Sequence, residues 1–396
     1  VSYTAGGEVL WPVPPNWVVA VRERLEWRTS VVRSRYSGRQ QKRALRRSPR
    51  RYFELSCTAQ HASRRALDNL LQARGVETWQ LPIYHDVQLV GPIASGASVV
   101  PCATSGYEFA AGGQAVLWRG LNTWEIVGIN TVGGAQLNLS APTTQSWPVG
   151  TRLYPLRQAV LEELPSEASY SDARGTRRVN FRLLGANDAT ATAPAATYLG
   201  YPVLEQSPEW SADIETLFAR DIDRLDNDTG AVTLIDEPGR PFREAQCRWL
   251  LGNRARHGQI RALLHWLRGQ QATLWVPTWH SDLQLAADIG AADTAISVDW
   301  AGYSLYGALA ANWRDIRIEL LGGTVYYRRL TSVLDQGATE ALGIGTALGV
   351  AVPRAKVRRI SFMVLAEQAS DAVELEHATD ASGITRVSTR FRGVWS

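Results

Sequence analysis

Lysine is almost missing from this chain: Lys42 and Lys356 are the only two among 42 basic residues, and arginine supplies the rest. A guanidinium makes forked, bidentate contacts that an ammonium cannot, so this surface favours fixed ion pairs. Cysteine is scarce and odd in number, with Cys57, Cys102 and Cys247 at no metal-ligand spacing. That set makes neither a disulfide framework nor a zinc site. Cys57 and Cys247 each stand shortly before a predicted helix, where a small buried apolar side chain is expected. No apolar run approaches the ~20 residues that a membrane-spanning helix needs. No basic segment followed by an apolar stretch opens the chain, so no secretory signal is read. The expectation is a protein made in a cytoplasm, with no membrane partner. A net charge of +4 is too small to demand a nucleic acid.

Catalytic signatures are missing as well. The sequence holds no phosphate-binding loop, dinucleotide fingerprint, nucleophile elbow, HExxH or paired CxxC. SGAS (95–98) reads as a loop. His85 and His280 read as strand-end histidines hydrogen-bonded to backbone. Cys57 and His61 have no matching pair later in the chain, which argues against a metal or thiolate site. Glu162, Glu163 and Glu167 read as a solvated turn. The chain is therefore expected to be no enzyme, with no catalytic, cofactor-binding or metal-binding residues and no cofactor.

What is present is a packed protein. Apolar residues make up 45% and tryptophan numbers 15, which suits cores and interfaces alike. A length of 396 residues is comfortable for two to four domains.

The dominant feature is an internal repeat. LLQARGVETWQLPIYHDVQL (70–89) resembles LLHWLRGQQATLWVPTWHSDLQL (263–285). Arg74-Gly75 matches Arg268-Gly269, Pro82 matches Pro277, Tyr84 matches Trp279, and His85 matches His280. Upstream, WPVPPNW (11–17) resembles YPVLEQSPEW (201–210). Downstream, Gly106-Tyr107 matches Gly302-Tyr303, followed by segments around Trp118 and Trp313 and prolines at Pro155 and Pro353. RRVNFR (177–182) resembles VSTRFR (387–392). Five matches in one order point to tandem duplication. GANDATATAPAAT (185–197), nearly free of large apolar groups, reads as the linker between the copies.

Each copy predicts one helix, at roughly 58–74 with Ala66, Leu67, Leu70 and Leu71 as its apolar stripe, and at roughly 253–268 with Ile260, Leu263, Leu264 and Leu267. Gly75 and Gly269 follow, where a left-handed cap is easiest for glycine. Most other segments are β-branched or aromatic and alternate, as in TWQLPIY and TLWVPTW. Residues 115–142 read as three short strands with glycine-rich turns, a small barrel.

Charge separates the copies. Residues 27–53 carry ten basic residues and no acid: Arg28, Arg33, Arg35, Arg39, Lys42, Arg43, Arg46, Arg47, Arg50 and Arg51. The matching stretch 209–237 carries nine acids, among them Asp221, Asp223, Asp226, Asp228, Asp236 and Glu237, against Arg220 and Arg224. The basic stretch lacks interleaved aromatics and any groove-reading motif. A solvated face, docking against an oppositely charged surface, and DNA binding are its three readings. For docking, the interface residues are Arg39, Arg43, Arg46, Arg47, Arg50 and Arg51 on one side and the six named acids on the other.

GRQQKRALRRSPRRYFE (38–54) resembles a signature of tailed-phage tail proteins: a glycine, a polar run, repeated arginines, an Arg-Arg-aromatic strand, then a helix and Arg-Gly. It is similar to the distal tail protein family of long-tailed phages and gene transfer agents, over about residues 8–90. Residues 101–157 also resemble a small β module common in such proteins. GAVTLIDEPGRPFREA (230–245) departs from the signature by losing most arginines.

The resemblance implies a β-sandwich or barrel core with one helix, and a ring at the tail tip or baseplate. The ring would cap the tail tube, carry a hub or fibres, and let DNA pass without specific binding. The expected fold is mainly β, with two tandem β-sandwich or barrel modules, each with a packed helix and a small β-barrel subdomain. Its divisions are 1–92 and 93–184 for the first copy, 185–197 for the linker, and 198–288 and 289–396 for the second. The expected assembly is a homotrimer, a pseudo-sixfold ring in the virion. Its rivals are a baseplate cell-wall hydrolase and a DNA-binding module using 27–53.

Overall fold

The computed structural model describes residues 9–34, 39–185, 187, 189–211, 213–220, 222–228, 230–236, 239–380 and 382–394. The fold is mainly β.

The first half opens with β1 (Val9–Leu10), β2 (Val21–Glu26) and a hairpin of β3 (Thr29–Arg33) and β4 (Gln40–Ala44). A long strand, β5 (Arg50–Gln60), runs into α1 (His61–Arg74) and then β6 (Trp79–Pro82). After β7 (Gln88–Val90) and β8 (Val99–Pro101) come β9 (Gln114–Gly120), β10 (Thr123–Val132), β11 (Gln136–Leu139) and β12 (Thr151–Leu161). β13 (Glu167–Ser169) and β14 (Arg174–Leu183) close it.

The second half begins with β15 (Thr197–Tyr198), β16 (Tyr201–Pro202), β17 (Thr216–Ala219) and a hairpin of β18 (Ile222–Asp226) and β19 (Val232–Asp236). β20 (Phe242–Leu251), α2 (Arg254–Leu267) and β21 (Leu274–Pro277) follow. Next come β22 (Ala295–Asp299), β23 (Asp315–Leu320), β24 (Val325–Arg329), β25 (Ser332–Asp335) and β26 (Thr339–Gly343). β27 (Val357–Gln368), β28 (Ala372–His377) and β29 (Thr385–Gly393) end the chain's regular structure.

Strand pairing follows one plan in both halves. β5 lies between β2 and β14, and β20 lies between β17 and β29. β12 takes β6, β9 and the end of β14, as β27 takes β21, β23 and the end of β29. β13 pairs with β14 and β28 with β29. Registers agree too: Phe53 faces Phe181 where Ala245 faces Phe391. Alternation builds the long strands: Phe53, Leu55, Cys57 and Ala59 of β5 point inward, as do Ala245, Cys247, Trp249 and Leu251 of β20. Burial pushes the free thiols of Cys57 and Cys247 up to about 12, as inert core groups.

The helices differ in surroundings. α1 fully buries only Leu67, with Leu70 and Leu71 partly covered. α2 buries Ile260, Leu263, Leu264 and Leu267, and also His257 and His265 on another face. α1 starts later than its pattern suggests because β5 runs on to Gln60. Gly75 does not form a left-handed cap; its φ is −58°, while Arg268 and Gly269 are left-handed at 51° and 67°. Gly75 is small for a different reason: a Cβ there would lie 2.7 Å from the Leu71 carbonyl oxygen. Glu162 and Glu163 lie exposed in a bend, whereas Glu167 belongs to β13 and is partly covered. Glu162 pairs with Arg182, Glu163 accepts from Asn180, and Glu167 holds Arg64 and Arg177. Among the described residues no helix is long and apolar enough to cross a membrane.

Candidate functional site at the junction of the two halves

The halves meet edge to edge. β2 pairs antiparallel with β28 along its whole length, from Val21 opposite His377 to Glu26 opposite Ala372. With β5 on its other side, β2 is a central strand between the halves. Leu25 and Trp27 of the first half sit in the second half's core, beside Leu264, Val373 and Phe391.

Behind the paired strands lies a buried polar cluster. Glu23 of β2 is fully buried and accepts from Arg51 Nε at 2.5 Å, Arg261 Nη2 at 2.7 Å and His377 Nε2 at 2.8 Å. Glu108 takes a second Arg51 nitrogen at 2.5 Å and lies 3.2 Å from Arg261. Asp86 holds Arg254, whose guanidinium stacks 4.2 Å from the Tyr107 ring centre. Three acids of the first half thus balance Arg51 and two arginines of α2. Burial alone would raise the Glu23 carboxyl, but Arg261, Arg51 and the His377 bond hold it well below the usual carboxylate range. Burial would raise Glu108 likewise; Arg51 and Arg261 bring it down to about 2.

Histidines complete the cluster. His85, on a tight turn (Tyr84–Asp86), lies flat against His377 of β28, with ring centres 3.7 Å apart and planes within 3°. His257 of α2 stands edge-on to both. Burial first, and then His377, push His85 well below its ordinary value and His257 down to about 3. Both are therefore neutral at pH 7. The expected backbone bond from the His85 ring is not made; neither ring nitrogen has a hydrogen-bond partner. His280, its counterpart, is exposed beside Trp210.

Glu23, His85 and His377 lie close enough to surround a cation, as do His85, Asp86 and Glu108. The donor set does not suit one. Both His377 nitrogens are engaged, with Glu23 and Thr385, and the parallel histidine rings cannot converge their in-plane lone pairs. Arg51, Arg254 and Arg261 already supply the positive charge. What the arrangement does is lock the halves in one register, because any slip strands a buried charge.

The hairpin β3–β4 fastens the outside. Lys42 pairs with Glu367 of β27, Gln40 donates to the same carboxylate at 2.6 Å, and Arg33 lies 3.9 Å from it. The Thr29 amide donates to Asp371 at 2.6 Å. So part of the basic stretch, Arg33, Gln40 and Lys42, meets a carboxylate of its own second half. Of the expected interface residues, Arg51 is buried in the cluster and Arg46 pairs with Glu26. Arg39, Arg43, Arg47 and Arg50 are exposed. Asp236 pairs with Arg220 and Asp226 with Arg224, within their own hairpin region. Asp223 and Asp228 are exposed beside them. Asp221 and Glu237 lie outside the described residues.

The cluster itself escaped the sequence reading. Its one legible signal is the spacing of Arg254, His257, Arg261 and His265, a polar stripe on the α2 face opposite no visible partner. The matching positions of α1, counted from each helix start, are His61, Arg64, Asp68 and Gln72. No family model matches this sequence, and comparison with characterised proteins returns no match.

Proposed function

We propose that this chain is a structural component of a phage tail tip or baseplate, built from two diverged copies of one module. It forms a ring around the DNA channel that joins the tail tube to the hub or fibres, and it works by assembly, not by catalysis. The observation that carries the reading is the edge-on junction of two halves with one pairing plan. Modules that join edge to edge inside a chain are suited to continue that array between chains. The resemblance of 38–54 to distal tail proteins supplies the setting. Three chains give six modules, which fits a threefold hub on one side and a sixfold tube on the other. The rival DNA-binding use of 27–53 is disfavoured because Arg33, Lys42, Arg46 and Arg51 already face carboxylates.

Light scattering and electron microscopy of the purified chain test the reading. The expected result is a three-chain ring with pseudo-sixfold outline. A single-chain mass at every concentration, or a ring of six chains, overturns it.

A further inference from the structure

The β2–β28 junction uses one edge of each half and leaves the two complementary edges open. β17 occupies β2's place: Thr216 faces Ala245 on β20 as Glu23 faces Phe53 on β5. β13 occupies β28's place: Glu167 faces Arg177 as Leu375 faces Val387. Among the described residues β17 pairs only with β20, and β13 only with β14. Each therefore presents unpaired backbone groups, the state that strand edges use to recruit a partner.

We infer that the second half of one chain takes the first half of another copy across these edges, repeating the internal junction. In that register Thr216 of β17 faces Glu167 of the next chain's β13, and Glu215 faces Ala168. This rests on the ring reading above and names its surface.

Three further observations fit the same occupant. The hairpin β3–β4 is partly covered, whereas β18–β19 is exposed at every position but Asp236. It leaves Ile222, Leu225, Val232 and Leu234 exposed to between 44% and 64%, a patch that soluble surfaces seldom keep uncovered.

The receiving position changes in step. Counting along the paired strands, Gln40 and Lys42 correspond to Val232 and Leu234. Glu367, which receives Gln40 and Lys42, faces Arg392; its counterpart facing Arg182 is Val160. Polar hairpin meets carboxylate inside the chain; apolar hairpin would meet valine between chains.

The pocket agrees. In the first half, Arg254 from the start of α2 lies between Asp86 and Tyr107. In the second half an open groove of about 440 Å³ is lined by Asp282 and Tyr303 beside Phe218 of β17. The start of α1, with His61 and Arg65 exposed, is the matching insert.

Cysteine cross-linking of the full chain tests the surface. Glu215→Cys with Ala168→Cys places thiols at exposed sites on the two open edges. Oxidation should link chain to chain and stop at a closed trimer. The control, Arg22→Cys with Glu376→Cys on the observed pair, should close within one chain. Assembly by light scattering without the 168–215 link overturns this surface and leaves the ring reading standing. Cross-linking into open filaments keeps the surface and overturns the ring. A second variant, Val232→Asp with Leu234→Asp, changes only exposed side chains. It should leave thermal unfolding of the monomer unchanged and raise the concentration needed for assembly about tenfold or more. An unchanged assembly curve overturns the proposal.

Discussion

Glu23 and Thr216 hold the same place in two strands built on one plan, yet one is buried among Arg51, Arg261 and His377 and the other is exposed. The contrast runs through each half. β2 is flanked on both sides and β17 on one. β28 has six paired residues and β13 three. α2 is covered on two faces and α1 on one. Matching elements therefore differ by whether a neighbour sits on them, and the side chains have diverged accordingly. A residue type that looks arbitrary in one half is explained by the contact present in the other.

The largest effect expected from breaking this contrast is at Glu23. Glu23→Ala strands Arg51, Arg261 and His377 in a dry site, which costs about 3–5 kcal/mol. Thr216→Ala, at the matching place, should change stability by less than about 0.5 kcal/mol. Chemical denaturation of both variants checks the pair, and equal losses would dissolve the distinction. Next come the helices. Leu264→Ala empties a fully buried position and should cost ~2–5 kcal/mol. Leu71→Ala, only partly buried in α1, should fall below that range. Calorimetry that found Leu71→Ala the costlier change would place the weight on the wrong helix.

A third effect depends on pH. His85, His257 and His265 are all held below their ordinary value, first by burial; His257 falls to about 3 and His265 to about 4. Unfolded, they take up protons below about 6.5; folded, they do not until far lower pH. Stability is therefore whole above about pH 6.5 and falls as the pH drops toward 4. Each histidine contributes up to about 1.4 kcal/mol per pH unit. Glu108, held at about 2 against Arg51 and Arg261, adds to the loss only below about pH 4.5. Denaturation midpoints at pH 7.5 and 5 should separate clearly, and His257→Leu should narrow the gap. A flat profile would mean the histidines are not dry.

Much of the strand content and both helices could be read from periodicity, because alternation in β5 and β20 and the leucine spacing in α1 and α2 are local. The buried thiols of Cys57 and Cys247 were legible for the same reason. The junction was not. Glu23 and His377 are 354 residues apart, and nothing near either one announces the other. The basic stretch 27–53 drew attention as a block of charge, yet its burial is uneven: Arg51 is inside and Arg50 outside, a difference set by strand alternation. Composition sees charge and misses which face it lies on.

The smallest expected effect sharpens what joins the halves. Arg22 and Glu376 face each other across β2 and β28, 3.6 Å apart, with side chains 44% and 39% exposed. Water and salt screen such a pair, and two long side chains must be ordered to make it, so it is worth ~0–1 kcal/mol. Arg22→Glu, which sets two acids opposite each other, should cost no more than about 1 kcal/mol and less at high salt. Glu215, just before β17, is the residue that matches Arg22. At the β2–β28 join the backbone pairing and the buried cluster, not this rim pair, carry the weight. Measured against Glu23→Ala in one buffer, Arg22→Glu should lose only a small fraction as much. Losses of similar size would move the weight of the junction from its interior to its surface.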